Sequence, residues 1–166
     1  LGLEVAKKNG ADLLIATDPD ADRMGIAVKN GDDFVLMTGN EAGILLTDFL
    51  FSVRKENGTL PEKPVLVKTI VTTPLAEKIA AEYGAEVYDV LTGFKYIGDV
   101  IAKLEKNGEE DRFVLGFEES YGYLSGTYVR DKDAVVASML TAEMAAYYKK
   151  QGKTLADRLN ELYEKF

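Results

Sequence analysis

The stretch "PVLVKTIVTTPLAEKIAAEYGAEVYDV", residues 64–90, decides the fold class of this chain. It opens with an apolar run typical of a buried strand and continues as a helix from about Pro74, since proline is tolerated in the first turn of a helix. The helix is expected to stop at Gly84, and a second strand follows in "AEVYDV". Strands that alternate with helices indicate an α/β layer in which both faces of the strands are covered.

The same alternation continues on both sides of this stretch. Apolar residues at helical spacing predict an amphipathic helix from Asn40 to near Gly58 and a long helix opened by Asp133. Two short apolar runs flank an N-G turn signal and predict a hairpin, which indicates a mixed sheet. The predicted fold class is therefore α/β, a mixed sheet with helices on both faces. The other predicted elements are a buried strand "ADLLIAT" (11–17), hairpin strands "MGIAV" (24–28) and "FVLMT" (34–38), a helix "FKYIGDVIAKLEKNG" (94–108) and a strand "RFVLGFE" (112–118).

The composition excludes several classes of function. A net charge of -8 argues against a nucleic-acid partner, because phosphate binding needs clustered Lys and Arg. No apolar run approaches the roughly 18 residues of a membrane span, and no signal peptide is expected, so that the cytoplasm is the predicted compartment. The chain has no cysteine and no histidine, which removes disulfides, thiolate metal sites and the commonest general base.

Both ends of the chain carry signals of helices that continue beyond it. "LEVAKKNG" resembles the last turns of a helix, while Thr154 and Asp157 form a T-x-x-D helix start whose apolar stripe runs to the last residue. We therefore expect a fragment of a longer protein. The alternative is a frayed terminal helix that packs on its own domain.

The sequence "TDPDADR", residues 17–23, gathers carboxylates at one point of the chain. Asp18, Asp20 and Asp22 follow an apolar strand, and α/β folds place ligand sites at the carboxyl ends of their strands. Like charges this close together are unfavourable unless a cation neutralises them. Three hard oxygen ligands suit Mg²⁺, which takes few protein ligands and keeps positions open for water or phosphate.

This loop has two alternative interpretations. An EF-hand calcium loop needs Gly at its sixth position and Glu at its twelfth, where this chain has Arg23 and Lys29. An acidic surface turn without any ion stays open, because D-x-D patterns alone are weak evidence. Arg23 favours the metal interpretation, since a guanidinium beside a bound cation could hold a phosphoryl group by two hydrogen bonds.

The sequence "GFEESYGYLSG", residues 116–126, predicts an open polar loop after a strand. A carboxylate such as Glu118 could accept hydrogen bonds from two neighbouring sugar hydroxyls, and Ser120 could add a third contact. The alternative is a solvated connection between strands.

Two further stretches contain cations next to predicted helix starts. In "TGFK" (92–95), Lys95 could bind an anion together with the free N–H groups of the helix, or could simply be exposed. In "YVRDKDAV" (128–135), Arg130 and Lys132 are interpreted as part of a charged helix cap.

The motifs "TDPDADR", "TGNE", "TGFKYIGD", "GFEESYGY" and "VRDKDAV", in this order, resemble those of the α-D-phosphohexomutases. Within that family the chain looks most like the phosphoglucomutases, and the resemblance covers nearly the whole chain. Family enzymes have four domains, which implies that the hairpin comes from the end of a preceding domain. The implied division is the C-terminal part of domain 2 with the metal loop (1–38), domain 3 with the sugar-binding loop (39–152), and a linker helix towards domain 4 (153–166).

The resemblance assigns a role to each candidate residue. Asp18, Asp20 and Asp22 are implied to bind Mg²⁺, with a phosphate oxygen of a phosphoserine outside this chain as the fourth ligand. Arg23 is implied to lie beside that phosphoryl group and to take part in catalysis.

The implied sugar contacts come from the second half of the chain. Glu118 and Ser120 are implied to bind the hydroxyls at positions 3 and 4 of the sugar, and Lys95 to lie near the transferred phosphate with a role in proton transfer. The family usually has Gly directly before the first Glu, whereas this chain has Phe117, whose bulk is expected to change the backbone of the loop.

The implied activity is that of an intramolecular phosphotransferase. It interconverts glucose 1-phosphate and glucose 6-phosphate through the phosphoserine and a bisphosphorylated sugar. The hexose phosphate and the remaining domains of the parent chain are the expected partners, and the fragment alone is expected to be inactive. The alternatives are a phosphomannomutase or another phosphohexomutase or phosphopentomutase, a haloacid-dehalogenase-type phosphatase with Asp18 as nucleophile and Asp20 as acid, and a non-enzymatic sugar- or metal-binding module.

Overall fold

The computed structural model describes all residues of the chain, Leu1–Phe166. The strands form two separate sheets, one of three strands in the order β1-β2-β3 and one of four strands in the order β5-β4-β6-β7. The elements, in chain order, are α1 (Gly2–Lys8), β1 (Leu13–Thr17), β2 (Met24–Asn30), β3 (Asp33–Met37), α2 (Gly39–Glu56), β4 (Val65–Thr69), α3 (Leu75–Ala81), β5 (Glu86–Val90), α4 (Phe94–Lys106), a 3₁₀ turn (Glu110–Arg112), β6 (Phe113–Phe117), β7 (Tyr123–Leu124), α5 (Ala134–Lys150) and α6 (Leu155–Lys165).

The four-stranded sheet confirms the predicted α/β fold with a mixed sheet. Its central strand β4 pairs in parallel with β5 and β6, and the antiparallel member is the short strand β7. The prediction attributes the antiparallel strand to the hairpin β2–β3, which instead lies in the other sheet. The short strand escapes prediction because its two residues lie inside a stretch that is otherwise rich in Gly and polar residues.

Helices cover both faces of the larger sheet, which explains why β4 and β6 are buried along their whole length. Val65 and Val67 pack with Phe113 and the apolar face of α4. The alternating residues Leu66 and Leu115 point to the other face and pack with α2 and α3.

The three-stranded sheet packs differently from the prediction. The sequence predicts a buried strand in "ADLLIAT", but β1 is an edge strand that is only half-buried, with Ala16 and Thr17 exposed. An antiparallel sheet buries one face, whereas a buried strand needs cover on both. The central strand β2 contributes Met24, Ile26 and Val28 to the same core as α2, α5 and α6, so that packing is continuous across the predicted domain boundary between residues 38 and 39.

The terminal helix α6 is joined to α2 and α5 by apolar and ionic contacts. Its stripe of Leu155, Leu159 and Leu162 is buried in the main core. Arg158 donates hydrogen bonds to both carboxylate oxygens of Asp48, at 2.8 and 2.7 Å. The hydroxyl of Tyr148 donates to the same carboxylate at 2.6 Å.

The predicted T-x-x-D start of α6 is confirmed, and α2 begins with a capping box that was not predicted. Thr38 and Glu41 form a capping box at the start of α2, and Thr154 and Asp157 form another at the start of α6. None of the helices combines the length and the apolar character needed to cross a membrane.

Phe117 lies at the end of β6, before the loop whose backbone it is expected to change. Its ring stacks on Tyr123, with ring centroids 6.4 Å apart, and packs against α2. Gly43 of α2 makes room for it, since a Cβ at that position would lie 2.0 Å from the ring. The bulk of Phe117 is therefore accommodated by a helix glycine, and the loop begins after it.

Candidate functional site

The aspartate loop brings its three carboxylates together. One oxygen of each of Asp18, Asp20 and Asp22 lies within 4.8 Å of the others. The chain turns sharply here, because the N–H of Ala21 donates to the carbonyl of Asp18 at 3.0 Å while Ala21 has a φ of 55°. Positive φ is unfavourable for a residue with a Cβ, so that this turn is a strained one.

In Asp18 and in Asp22, one carboxylate oxygen is bound by other groups of the protein and the second oxygen remains available. Asp18 Oδ1 accepts the backbone N–H groups of Asp22 at 3.1 Å and of Arg23 at 3.0 Å. The hydrogen bond from the Arg23 N–H is the main cause that lowers the pKa of Asp18. Asp22 Oδ2 binds the ammonium of Lys132 at 2.9 Å, whereas Asp22 Oδ1 is buried without any hydrogen-bond donor.

These residues fit a small divalent cation. Three carboxylates supply hard oxygen ligands, and the buried, unpaired Oδ1 of Asp22 is the kind of atom that a cation would satisfy. Arg23 contributes positive charge at the rim, with its guanidinium 3.9 Å from both Asp18 and Asp22. The three aspartates could therefore hold Mg²⁺ and still leave coordination positions open.

In the E-E-S loop, Glu118 is buried, with 4% of its surface exposed. Its Oε1 accepts the N–H of Gly93 at 2.9 Å, and Gly93 is the residue that precedes α4, with a φ of 123°. This conformation requires glycine. Glu118 thereby binds a free N–H at the start of α4 and brings the T-G-F-K loop against the E-E-S loop.

Glu119 anchors the same loop from its other side. Its Oε2 accepts the hydroxyls of Thr69 at 3.0 Å and Thr72 at 3.2 Å, so that the loop is tied to the connection after β4. Ser120 is half-buried, and Tyr121 follows it with a φ of 69°. Glu119 was not predicted to have a role, and the only signal for it in the sequence is its position between two predicted contact residues, Glu118 and Ser120.

The aspartate loop and the E-E-S loop lie side by side. The N–H of Met24 donates to the carbonyl of Tyr121 at 3.1 Å, and Arg23 pairs with Gly122 as an isolated antiparallel bridge. The N–H of Glu118 closes its own loop by donating to the carbonyl of Gly122 at 2.9 Å. Two motifs that lie far apart in sequence therefore form one continuous surface.

Lys132 belongs to this site, and its interpretation as part of a helix cap is wrong. The cap of α5 is Asp133, which accepts the N–H groups of Val135 and Val136. The Lys132 side chain is 11% exposed and points to Asp22. Burial alone lowers the pKa of Lys132, but hydrogen bonds to Asp22 and Asp131 outweigh it and raise that pKa.

Lys95 and Arg130 are not joined to the aspartates. Lys95 is exposed, and its ammonium lies over the ring of Tyr96 at 4.8 Å, so that the structure brings it to the same edge without a contact to Glu118. Arg130 forms an ion pair with Glu105.

None of the cavities of the structure is lined by residues of the aspartate loop or the E-E-S loop. A cavity of about 260 Å³ lies elsewhere, beside the last turns of α4, and its lining includes Tyr88, Lys103 and Leu104. It contains none of the predicted site residues.

Two family models match the chain. The model described as phosphoglucomutase/phosphomannomutase, alpha/beta/alpha domain III, matches residues 38–166. The model for alpha/beta/alpha domain II of the same group matches residues 1–31.

Curated relatives resemble the chain along nearly its whole length. A phosphoglucomutase of Staphylococcus saprophyticus is 42% identical over 99% of this chain. A phosphomannomutase of Mycoplasmoides pirum is 41% identical over 100% of it. The chain spans 29% of the length of each of these relatives.

Solved structures share the fold. One from Thermus thermophilus, provisionally described as a phosphomannomutase, has a TM-score of 0.70 at 27% identity, over 96% of this chain and 33% of that one. The product complex of an N-acetylglucosamine-phosphate mutase has a TM-score of 0.60 at 18% identity, over 94% of this chain and 36% of that one, and indicates the fold alone.

Proposed function

The chain belongs to the phosphoglucomutase/phosphomannomutase family, and on this premise we propose that it forms the metal- and sugar-binding part of a phosphoglucomutase. The parent enzyme interconverts glucose 1-phosphate and glucose 6-phosphate, as an intramolecular phosphotransferase in the cytoplasm. The observation that carries the proposal is the direct pairing of the aspartate loop with the E-E-S loop, through Met24 and Tyr121.

The first half of the proposal concerns the phosphoryl group. Asp18, Asp20 and Asp22 would hold Mg²⁺ together with a phosphate oxygen of a phosphoserine from the rest of the parent chain. Bound Mg²⁺ supplies positive charge next to the phosphoryl group that moves. Arg23 adds a guanidinium that can hold two oxygens of that group in a fixed orientation.

The second half concerns the sugar. Glu118 keeps one carboxylate oxygen on the Gly93 N–H and has the other to accept hydroxyls, while Ser120 adds a second polar contact. In the forward step the bond from phosphorus to the serine oxygen breaks, a bond from phosphorus to the sugar hydroxyl oxygen forms, and the hydroxyl proton ends on the released serine oxygen. The bisphosphorylated sugar then reverses its orientation in the site and returns its other phosphate to the serine. A carboxylate that accepts from neighbouring hydroxyls can hold either orientation.

Lys95 is proposed to act near the transferred phosphate. Its side chain is exposed and long enough to reach an anion bound near the start of α4. Because Lys95 makes no ion pair in the structure, it is available for a substrate that brings its own negative charge.

A mannose phosphate is the second candidate substrate. The relative named phosphomannomutase is 41% identical and the one named phosphoglucomutase is 42% identical, a difference too small to separate the two sugars. The E-E-S form of the loop resembles that of glucose-directed family members and therefore favours glucose. The dehalogenase-type phosphatase is set aside by the family membership, and a purely binding role predicts micromolar affinity of this chain for glucose 1-phosphate.

The experiment compares this chain with its longer parent. In a coupled assay for glucose 6-phosphate, the parent should be active, and Glu118→Gln or Asp20→Asn should each reduce kcat/KM by at least about a hundredfold, as expected for lost charged contacts to the reacting groups. The 166-residue chain alone should show no turnover. An active parent that tolerates both substitutions would contradict the proposed roles, and turnover by the chain alone would contradict its dependence on an outside nucleophile.

A further inference from the structure

Lys132 lies where four motif-bearing segments of the chain meet. Its ammonium binds Asp22 at 2.9 Å and Asp131 at 3.0 Å. It lies 5.6 Å from the ring centroid of Phe94, and its stem packs on Gly122, where a Cβ would lie 2.4 Å from Lys132 Cδ. The side chain is therefore held from several directions and cannot swing freely.

The ion pair with Lys132 places the two carboxylate oxygens of Asp22 in different environments. Oδ2 is bound by Lys132, while Oδ1 is buried and has no donor. For Asp22 to offer both oxygens to a metal, the ion pair with Lys132 would have to break. Asp18 is restricted in a similar way, since its Oδ1 accepts two backbone N–H groups. At least two of the three aspartates are thus presented as one-oxygen ligands.

One-oxygen ligands do not suit all divalent cations equally. Mg²⁺ demands octahedral geometry with short bonds of about 2.0–2.1 Å and is satisfied by single carboxylate oxygens and water. Ca²⁺ takes about six to eight oxygens at about 2.3–2.6 Å and readily uses both oxygens of a carboxylate. Any group that holds back an oxygen of Asp22 therefore disfavours Ca²⁺ more than Mg²⁺.

We infer that Lys132 is a positioning residue that sets the metal selectivity of the aspartate loop. By holding Asp22 Oδ2, it keeps Asp22 a one-oxygen ligand and favours Mg²⁺ over Ca²⁺. This inference rests on the proposed function, in which the aspartate loop binds a divalent cation.

The test uses metal binding by the 166-residue chain, without any assay of activity. Mn²⁺ binding is followed by electron paramagnetic resonance, and Mg²⁺ and Ca²⁺ are titrated as competitors against the wild type and Lys132→Met. Loss of one positive charge strengthens the binding of every divalent cation, so that the ratio of the Ca²⁺ and Mg²⁺ dissociation constants isolates the geometric effect. We expect this ratio to shift about tenfold towards Ca²⁺, in line with the effect of substituting groups that orient metal ligands.

Two further variants separate geometry from charge. Lys95→Met removes the same charge at the same edge without touching an aspartate, and should leave the ratio unchanged. Gly122→Ala keeps the charge but displaces the Lys132 stem, and should shift the ratio towards Ca²⁺. Gly122→Ala also tests the inference about Lys132 if Lys132→Met does not fold.

The outcomes are distinguishable. If the wild type binds Mn²⁺ and the ratio is the same in Lys132→Met and Gly122→Ala, the inference about Lys132 is wrong while the metal site stands. If the wild type binds no Mn²⁺ at millimolar concentration, the metal role of the aspartate loop in the proposed function fails, and the inference falls with it.

Discussion

The substitution Gly43→Ala tests the packing that supports the candidate sugar loop. Gly43 lies on the face of α2 that contacts β6, directly against the ring of Phe117. A Cβ at residue 43 would lie 2.0, 2.3 and 2.8 Å from three atoms of that ring. Because Phe117 is immediately followed by Glu118, a shift of the ring also moves the residue proposed to bind the sugar.

The expected loss of stability follows from these distances. Carbon atoms in contact are normally about 3.5–4.0 Å apart, so that the ring or the helix must move by about 1.5 Å. Overpacking of a core costs about 1–3 kcal/mol, and this contact belongs at the upper end of that range. Alanine recovers about 1 kcal/mol over glycine in a helix. The net loss is about 2 kcal/mol, which lowers the Tm by about 4–8 °C in a chain of this length.

Urea unfolding followed by circular dichroism measures the free energy of unfolding. Gly25→Ala is the matched control, since no atom lies within 4 Å of a Cβ built at that residue. In the background Phe117→Leu, which removes the ring, Gly43→Ala should become neutral or slightly stabilising. The reasoning is refuted if Gly43→Ala is as stable as the wild type, or if it costs the same in the presence and absence of the ring.

Three further predictions concern the ion pairs and hydrogen bonds of the fold. Arg158→Met leaves the buried Asp48 carboxylate with Tyr148 as a donor but without its cationic partner, and should lower the free energy of unfolding by about 3 kcal/mol, measured by urea titration; a loss below about 1 kcal/mol would mean that the pair behaves as an exposed one. The hydrogen bond from the Thr154 N–H lowers the pKa of Asp157 from its ordinary value of 3.8, so that its stabilising effect is complete above about pH 4 and is lost as the pH falls through the lowered pKa. Asp157→Asn should therefore flatten the decline in urea midpoint as the pH falls from about 4 through the lowered pKa of Asp157, and an unchanged decline would count against the capping role. Glu119→Ala removes the acceptor of two threonine hydroxyls and should speed hydrogen exchange of the amides at 118–122, whereas equal exchange in both proteins would show that Glu119 does not hold the loop.

The sequence alone determined the local features of this protein. Apolar periodicity located the helices and most strands, and a T-x-x-D signal marked the start of α6, because both depend on residues within a few positions of one another. The candidate metal ligands were equally local, since three aspartates within five positions converge as soon as the chain turns. The family resemblance then predicted the remaining site residues, and the family itself is confirmed.

Tertiary structure decided everything that depends on pairs of residues distant in the chain. Only the folded chain separates the strands into two sheets, places the short strand β7 beside β6, and lets Gly43 make room for Phe117. It also turns Lys132 from a supposed helix cap into the partner of Asp22. No local pattern encodes these contacts, because each is selected by the shape and charge of a partner that folding brings from another part of the sequence.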